Sequence, residues 1–344
     1  MRTCAFSFLL AALLLAGLAA VGGRPAQAAP ATCENGVVVP DPEANRGLVI
    51  DCANLLAAKT QFSARRPLNW GGETPIAEWD GVTLGGDPPR VWKVHLRSRG
   101  LTGRVAPQFA NLRELRELAL HHNRLTGPIP AGLGSLRHLE RLWLDGNHLS
   151  GSIPPALGSL RSLRELWLHD NQLTGRIPSE LGELPSLERL WLYDNQLTGP
   201  IPPTLGSLSG LRSLLLHGNQ LSGRIPPELG SLDGLRLLWL KDNQLTGRIP
   251  AALGSLGEVL DLLLERNQLT GAIPASFAAL RSVKRLHLDD NQLMGPMPAW
   301  LSSLPDLTSL RLSGNPGLTG CIPPSLREVR RHDLAEAGLP DCPP

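Results

Sequence analysis

No Asn-Xaa-Ser/Thr triplet occurs anywhere in the 344 residues, which removes N-glycosylation from consideration. Catalytic signatures are missing as well: there is no Gly-Xaa-Ser-Xaa-Gly elbow, no His-Glu-Xaa-Xaa-His pair, no phosphate-cradling glycine loop and no kinase motif. Hydrolysis would need two carboxylates across a cleft, or a nucleophile beside a base held by a third group, and no segment gathers such a set. The chain is therefore expected to be non-catalytic and to need no cofactor. Charge of one sign is also lacking. The formal net charge is +2; loss of the leading segment through Ala28 would remove Arg2 and Arg24 but no acid, so the 33 bases become 31 against 31 acids. A neutral chain has no electrostatic case for nucleic acid or an anionic membrane.

Long apolar runs are confined to the start. Arg2 precedes an apolar stretch from Ala5 to Val21, about 17 residues and at the low edge of what crosses a bilayer. Gly22, Gly23 and the small-residue motif Ala26-Gln27-Ala28 follow. This order predicts a secretory signal over residues 1–28, cleaved after Ala28. No second run of that length follows, so the mature chain is expected to carry no membrane span and to be secreted or extracytoplasmic. Of the five cysteines, Cys4 leaves with the signal and Cys33, Cys52, Cys321 and Cys342 remain. An even set in an exported chain suggests two disulfides.

What the sequence does have is repetition. Asn123, Asn147, Asn171, Asn195, Asn219, Asn243, Asn267, Asn291 and Asn315 recur at one constant interval without a slip, and an unbroken period of this size means a solenoid. The apolar positions of one unit are Leu163, Leu166, Leu168, Leu173, Ile177, Leu181 and Leu184. An earlier unit, Val91 to Glu114, keeps Val94, Leu96, Leu101 and Val105 but has Arg99 in place of the asparagine, which makes ten turns. Leu166 and Leu168 alternate with Glu165, Trp167 and His169, the period of a short strand with one buried face. The asparagine side chain both donates and accepts, so a ladder of nine could satisfy backbone groups of adjacent turns. Gly175 and Pro178 bend the chain back, and Leu181 and Leu184 suit a short helical turn on the outer side. No turn can bury its own leucines; stacking makes the core, and both ends then need caps.

The segments LTGPIP, LSGSIP, LTGRIP and LTGAIP that follow the asparagines resemble the plant-type leucine-rich repeat, over residues 91–320. The resemblance implies an α/β solenoid: a right-handed superhelix with a parallel sheet on its concave wall and short 3-10 or helical turns on its convex side. Residues 29–90 are similar to the family's amino-terminal cap, with Leu55, Leu56, Ala57 and Phe62 on the buried side of an amphipathic helix. Ala77 and Leu84 stand where the family has two cysteines, around Trp79, Gly81 and Val82, so the usual cap disulfide cannot form and Cys33–Cys52 is expected to substitute. Residues 321–344 form the other cap, with Leu326, Val329, Leu334 and Leu339 over the last turn. Ten strands at about 4.8 Å hold the caps roughly 45 Å apart, and a disulfide needs alpha carbons within about 7 Å, which leaves Cys321–Cys342.

One strand per turn aligns equivalent positions into columns. Ala119, Trp143, Trp167, Trp191, Leu215, Trp239, Leu263 and His287 form one, expected to face solvent. His121, Asp145, His169, Tyr193, His217, Lys241, Glu265 and Asp289 form the next, also expected to face outward and changing chemistry at almost every turn. Lys93, Glu117, Arg141, Glu165 and Arg189 alternate in sign and read as structural pairing. Asp170, Asp194, Asp242 and Asp290 read as turn residues. His121, His169 and His217, two turns or roughly 10 Å apart, cannot share a zinc that needs nitrogens at about 2.1 Å, a mixed set of His121, Asp145 and His169 is disfavoured, and no metal site is assigned. Family resemblance, to ectodomains of plant receptor kinases and to polygalacturonase-inhibiting proteins, implies a recognition module. The candidate ligand-binding residues are Trp143, Trp167, Trp191, Trp239, His121, His169, Tyr193, His217 and Lys241, for a protein, peptide or glycan. A second reading uses the convex side, with Thr126, Thr174, Thr198, Thr246 and Thr270, as an adhesion or ice-binding surface.

Overall fold

The structure is a computed structural model that describes residues 32–33, 37–39 and 41–343; the expected signal segment lies outside the described residues. Ten parallel strands, from Arg90–His95 to Ser309–Arg311, form the concave wall. Each pairs with the strand one full repeat on: Glu165 lies opposite Arg189, Leu166 opposite Leu190 and Trp167 opposite Trp191. The strands are only three residues long over most of the wall because the inward leucines are separated by a single outward residue before the chain turns. Leu166, Leu168, Leu173, Leu181, Leu184 and Leu187 of one turn are fully buried. Each contributes roughly 1.5–3 kcal/mol, but only with a neighbouring turn on either side.

The turn after each strand is built on a left-handed residue. Asp170, Asp194, Asp242 and Asp290 have φ of 50–52°, and His122, Arg266, Gly146 and Gly218 occupy equivalent places with φ of 53–63°. Asp tolerates this region better than most residues, which is why the acids directly before the asparagines are turn chemistry.

The asparagines then fasten turn to turn. Asn171 Nδ2 donates to the carbonyls of Leu168 in its own turn and Leu144 in the preceding one, both at 3.1 Å. Its Oδ1 accepts from Leu149 N at 2.9 Å. The same bonds recur at each asparagine from Asn123 to Asn315. At the carboxyl end Asp333 stands in for the carbonyls of a further strand, its Oδ1 accepting from Leu312 N at 2.8 Å and its Oδ2 from Ser313 N at 3.0 Å.

Sequence reading did not anticipate a second sheet. The LTG segments form strands such as Gln172–Gly175 and Gln196–Gly199, which pair in parallel two positions short of a full repeat: Ser152 lies opposite Thr174, and Thr174 opposite Gln196. Gly175, at φ 78°, releases the chain from this sheet into the 3-10 turn Ser179–Glu183 on the convex side. The threonines therefore belong to a sheet flank and stand staggered from turn to turn, not in the flush convex column expected.

The amino-terminal cap carries one α-helix, α1 (Arg46–Lys59), with Leu48, Leu55, Leu56 and Ala58 buried; Ala57 is only half-buried, and Ala58 takes the inward place assigned to it. Cys33–Cys52 ties the leading strand to α1, and Cys321–Cys342 closes the other cap. Asp51, fully buried on α1, receives Arg90 Nη2 at 2.7 Å, Arg90 Nε at 2.8 Å and Val91 N at 3.0 Å, which pins the helix to the first concave strand. Trp70 and Trp79 stack at 5.9 Å beneath it.

Candidate functional site

The flush register of the concave sheet brings the tryptophans into contact. Trp143 and Trp167 stack with ring centroids 4.9 Å apart, and Trp167 and Trp191 at 4.5 Å with planes only 6° from parallel. Trp239 stands beyond Leu215, with the Arg285 guanidinium 5.4 Å from its ring centre. All four indoles are half-buried. The faces of Trp143, Trp167 and Trp191 are used against each other, so the surface these three offer is a wall of ring edges.

Where the indole nitrogens point follows from the neighbouring charged column. Each ring reaches across to that column in the next turn: Trp143 Nε1 donates to Glu165 Oε2 at 3.0 Å and Trp191 Nε1 to Ser213 Oγ at 2.9 Å, while His95 Nε2 meets Glu117 Oε2 at 2.9 Å. At Trp167 that place is Arg189, which has no acceptor to offer, and at Trp239 it is Asp261, already held by Arg285; both indole nitrogens are buried without a partner. The charged column pairs along the wall as its alternating signs require: Lys93 to Glu117 at 2.9 Å, Arg141 to Glu117 at 2.6 Å and Arg189 to Glu165 at 2.6 Å. Burial pushes the Glu117 carboxyl up, but Lys93, Arg141 and His95 together hold it below its ordinary value.

The next column differs from expectation. His121, Asp145 and His169 are 2–7% exposed, while Tyr193, His217 and Lys241 are half-buried. They sit beneath the indoles because each follows the strand by two residues, where the left-handed turn folds the side chain back along the wall. His169, Tyr193 and His217 form a second stack at 4.2 and 4.4 Å, and His121 meets Trp143 edge-on at 5.7 Å. The Nδ1 atoms of His121, His169 and His217 are buried without partners. Burial pushes all three down to about 4, helped by Arg97 at His121 and by Lys241 at His217, so they are neutral near pH 7. Burial pushes Asp145 up to about 6 and Tyr193 up to about 12. His169 Nε2 lies 3.5 Å from Asp145 Oδ2, but His121 joins neither through a hydrogen bond. The wall thus places Trp143, Trp167, Trp191, His169, Tyr193 and His217 in one contiguous aromatic patch, with Trp239 touching its end through His217 at 5.3 Å and Lys241 one turn further along.

A recess that sequence reasoning missed opens beside the first turns, lined by Arg65, Arg66, Arg99, Arg124 and His122. Arg65 and Arg66 come from the cap, Arg99 and His122 from the loops after the first two concave strands and Arg124 from the start of the strand Arg124–Gly127, so no single stretch of sequence shows it.

Leucine rich repeat family profiles match residues 258–316 and 161–203, and single repeats match 114–136, 138–160, 210–232 and 234–256. The chain belongs to the leucine-rich repeat family and is of the plant type. It is similar to the ectodomain of the plant membrane receptor kinase GASSHO1/SCHENGEN3 from Arabidopsis thaliana, solved with Casparian strip integrity factor 2: 39% identity, 82% of this chain and 34% of that one, TM-score 0.79. It is similar to the Arabidopsis receptor kinase HAESA, solved with the peptide hormone IDA and a co-receptor: 34% identity, 79% of this chain and 46% of that one, TM-score 0.72. It is also similar to a plant ice-binding protein, at 29% identity, 85% of this chain, 97% of that one and TM-score 0.71. The chain thus spans between a third and a half of the length of these two solved receptor chains. No curated protein matches it. Among the described residues no helix is long and apolar enough to cross a membrane.

Proposed function

We propose that the chain is an exported, non-catalytic recognition module that holds an extended protein or peptide segment along its concave wall. The observation that carries this reading is the continuous patch of two aromatic stacks, Trp143–Trp167–Trp191 and His169–Tyr193–His217, on a wall whose charged column is already neutralised within itself. Aromatic clusters rimmed by satisfied polar groups are typical of interface centres. Edge presentation favours a peptide over a glycan, because sugar rings pack against open aromatic faces and these faces are covered. The peptide hormone bound to the similar receptor kinase HAESA points the same way.

A second reading stands on the plant ice-binding protein, almost all of which the chain covers. Its surface would be the flank of Thr126, Thr174, Thr198, Thr246 and Thr270. The register of that sheet, with Thr174 against Gln196 and Thr246 against Gln268, offsets successive threonines by two positions along the strand, which puts them roughly 8 Å apart where flush stacking would give about 4.8 Å.

The test separates the two. Partners captured by the untagged chain from secreted material are titrated against it while indole fluorescence is followed. Under the concave reading W143A/W167A/W191A weakens binding by at least about a hundredfold, a loss of roughly 2.7 kcal/mol, and the five threonine-to-valine changes do not. The reverse pattern, with ice-growth inhibition that survives the tryptophan changes, would sink it.

A further inference from the structure

Glu265, His287 and Asp289 meet toward the carboxyl end of the concave wall, from two adjacent turns. One candidate ligand atom from each lies within 4.8 Å of the other two. Glu265 and Asp289 are each 6% exposed, and Glu265 Oε2 and Asp289 Oδ1 are buried with no hydrogen-bond partner. Buried carboxylate oxygens in native structures are nearly always paired, so two orphans side by side call for a missing partner. The cations at hand do not supply it: Arg285 is engaged by Asp261, and Lys241 Nζ reaches no nearer than 4.0 Å to Glu265 while also facing Asp242 at 3.7 Å.

His287 is held as a ligand would be. Its Nε2 lies 2.8 Å from Ser309 Oγ, and Ser309 is itself buried. With the Nε2 proton donated to that hydroxyl, the lone pair of Nδ1 faces the acids, 3.7 Å from Glu265 Oε1. An outward hydrogen bond of this kind fixes the tautomer and orientation of metal-binding histidines.

We propose that Glu265, His287 and Asp289 form a binding site for one first-row divalent cation of the zinc or manganese type. Two carboxylates neutralise the dication, and mixed oxygen and nitrogen donors suit these metals better than calcium, which takes six to eight oxygens. Tetrahedral ligands at about 2.1 Å from zinc stand roughly 3.4 Å apart, so the three side chains close by about an ångström on binding. The sequence reading, which assigned no metal, weighed two sets, His121 with His169 and His217, and His121 with Asp145 and His169, and neither includes these residues. The proposal does not rest on the aromatic patch being the recognition surface.

The test uses the untagged full-length chain, stripped with chelator and titrated with zinc chloride by calorimetry, with cobalt(II) absorption as the spectroscopic check. One equivalent is expected to bind. E265Q, D289N and H287Q should each weaken binding at least tenfold, S309A by about tenfold, and H169Q not at all. Far-UV circular dichroism establishes that each variant folds, and a rise in Tm with zinc that E265Q abolishes gives an independent readout. No saturable binding up to about 0.1 mM, or binding that E265Q and D289N leave intact, overturns the proposal, and the two acids then share a proton.

Discussion

At the scale of single residues, burial governs what the polar side chains do. His121, His169 and His217 are pushed down to about 4, chiefly by burial, whereas in the unfolded chain a histidine takes its proton near 6.5. As pH falls through 6.5 the unfolded state binds protons that the folded state refuses, and stability is lost across the window from about 6.5 to 4. Asp145 and Asp289, pushed up to about 6 mainly by burial, act in the opposite sense, since the folded state takes up their protons first. Asp194, also raised by burial, adds to the acids, and Glu117, held low by its cations, adds to the histidines, so four groups against three leave a net loss on acidification that sets in as pH falls below about 6.5. The expected outcome is a lower Tm at pH 5 than at pH 7, with a flatter profile in H169N/H217N, read by scanning calorimetry. Asp51 gives a second case. D51A strands the Arg90 guanidinium and the Val91 amide, and should cost about 3 kcal/mol in urea unfolding, more than any single surface charge of the repeats.

At the scale of elements, the concave strands were legible and their flanks were not. The constant interval between asparagines dictates which residues share a column, and the alternation of Leu166, Trp167 and Leu168 dictates which way they face, so the tryptophan stack was readable before any coordinates. The burial of His121 and His169 was not readable, because it depends on the left-handed residue that follows the strand, a feature visible only as a mixture of aspartate, glycine, histidine and arginine at one position. The second sheet was hidden for a related reason: its strands pair Thr174 with Gln196, two positions short of a full turn, a register that the repeat length does not announce. The glycine of each LGxL segment was also passed over. A Cβ on Gly206 would collide with the backbone carbonyl of Glu228 in the next turn, so this turn keeps its close approach only with glycine there, whereas the outer turns carry Ala110, Ala278 and Ser302 at the same place. G206A should lower stability by about 1–3 kcal/mol, measured as a shift in urea midpoint, whereas alanine at Gly234, which meets nothing nearby, should be near-neutral.

At the scale of the whole molecule, the backbone of each turn pairs with the turns beside it, and the caps close what would otherwise be two open sheet edges. Val82–Gly85 pairs antiparallel with the first concave strand, and Asp333 with Arg331–His332 completes the last. Cleaving the final cap after Pro316 exposes Ser309–Arg311 as a free parallel edge of full hydrogen-bonding capacity. The truncated chain should associate in a concentration-dependent manner in light scattering while the intact chain does not, and hydrogen exchange should accelerate first in the last two turns, leaving residues 163–216 protected.

Because every rung of the concave sheet meets the next at the same offset, Trp167 against Trp191, Trp191 against Leu215 and Leu215 against Trp239, a duplicated stretch such as 187–210 slots in as one more rung and lengthens the wall by about 4.8 Å. The terminal pieces need no redesign for it. The length of the concave wall can therefore change by whole copies of a short tract of coding sequence, with the packing of each rung left as it was.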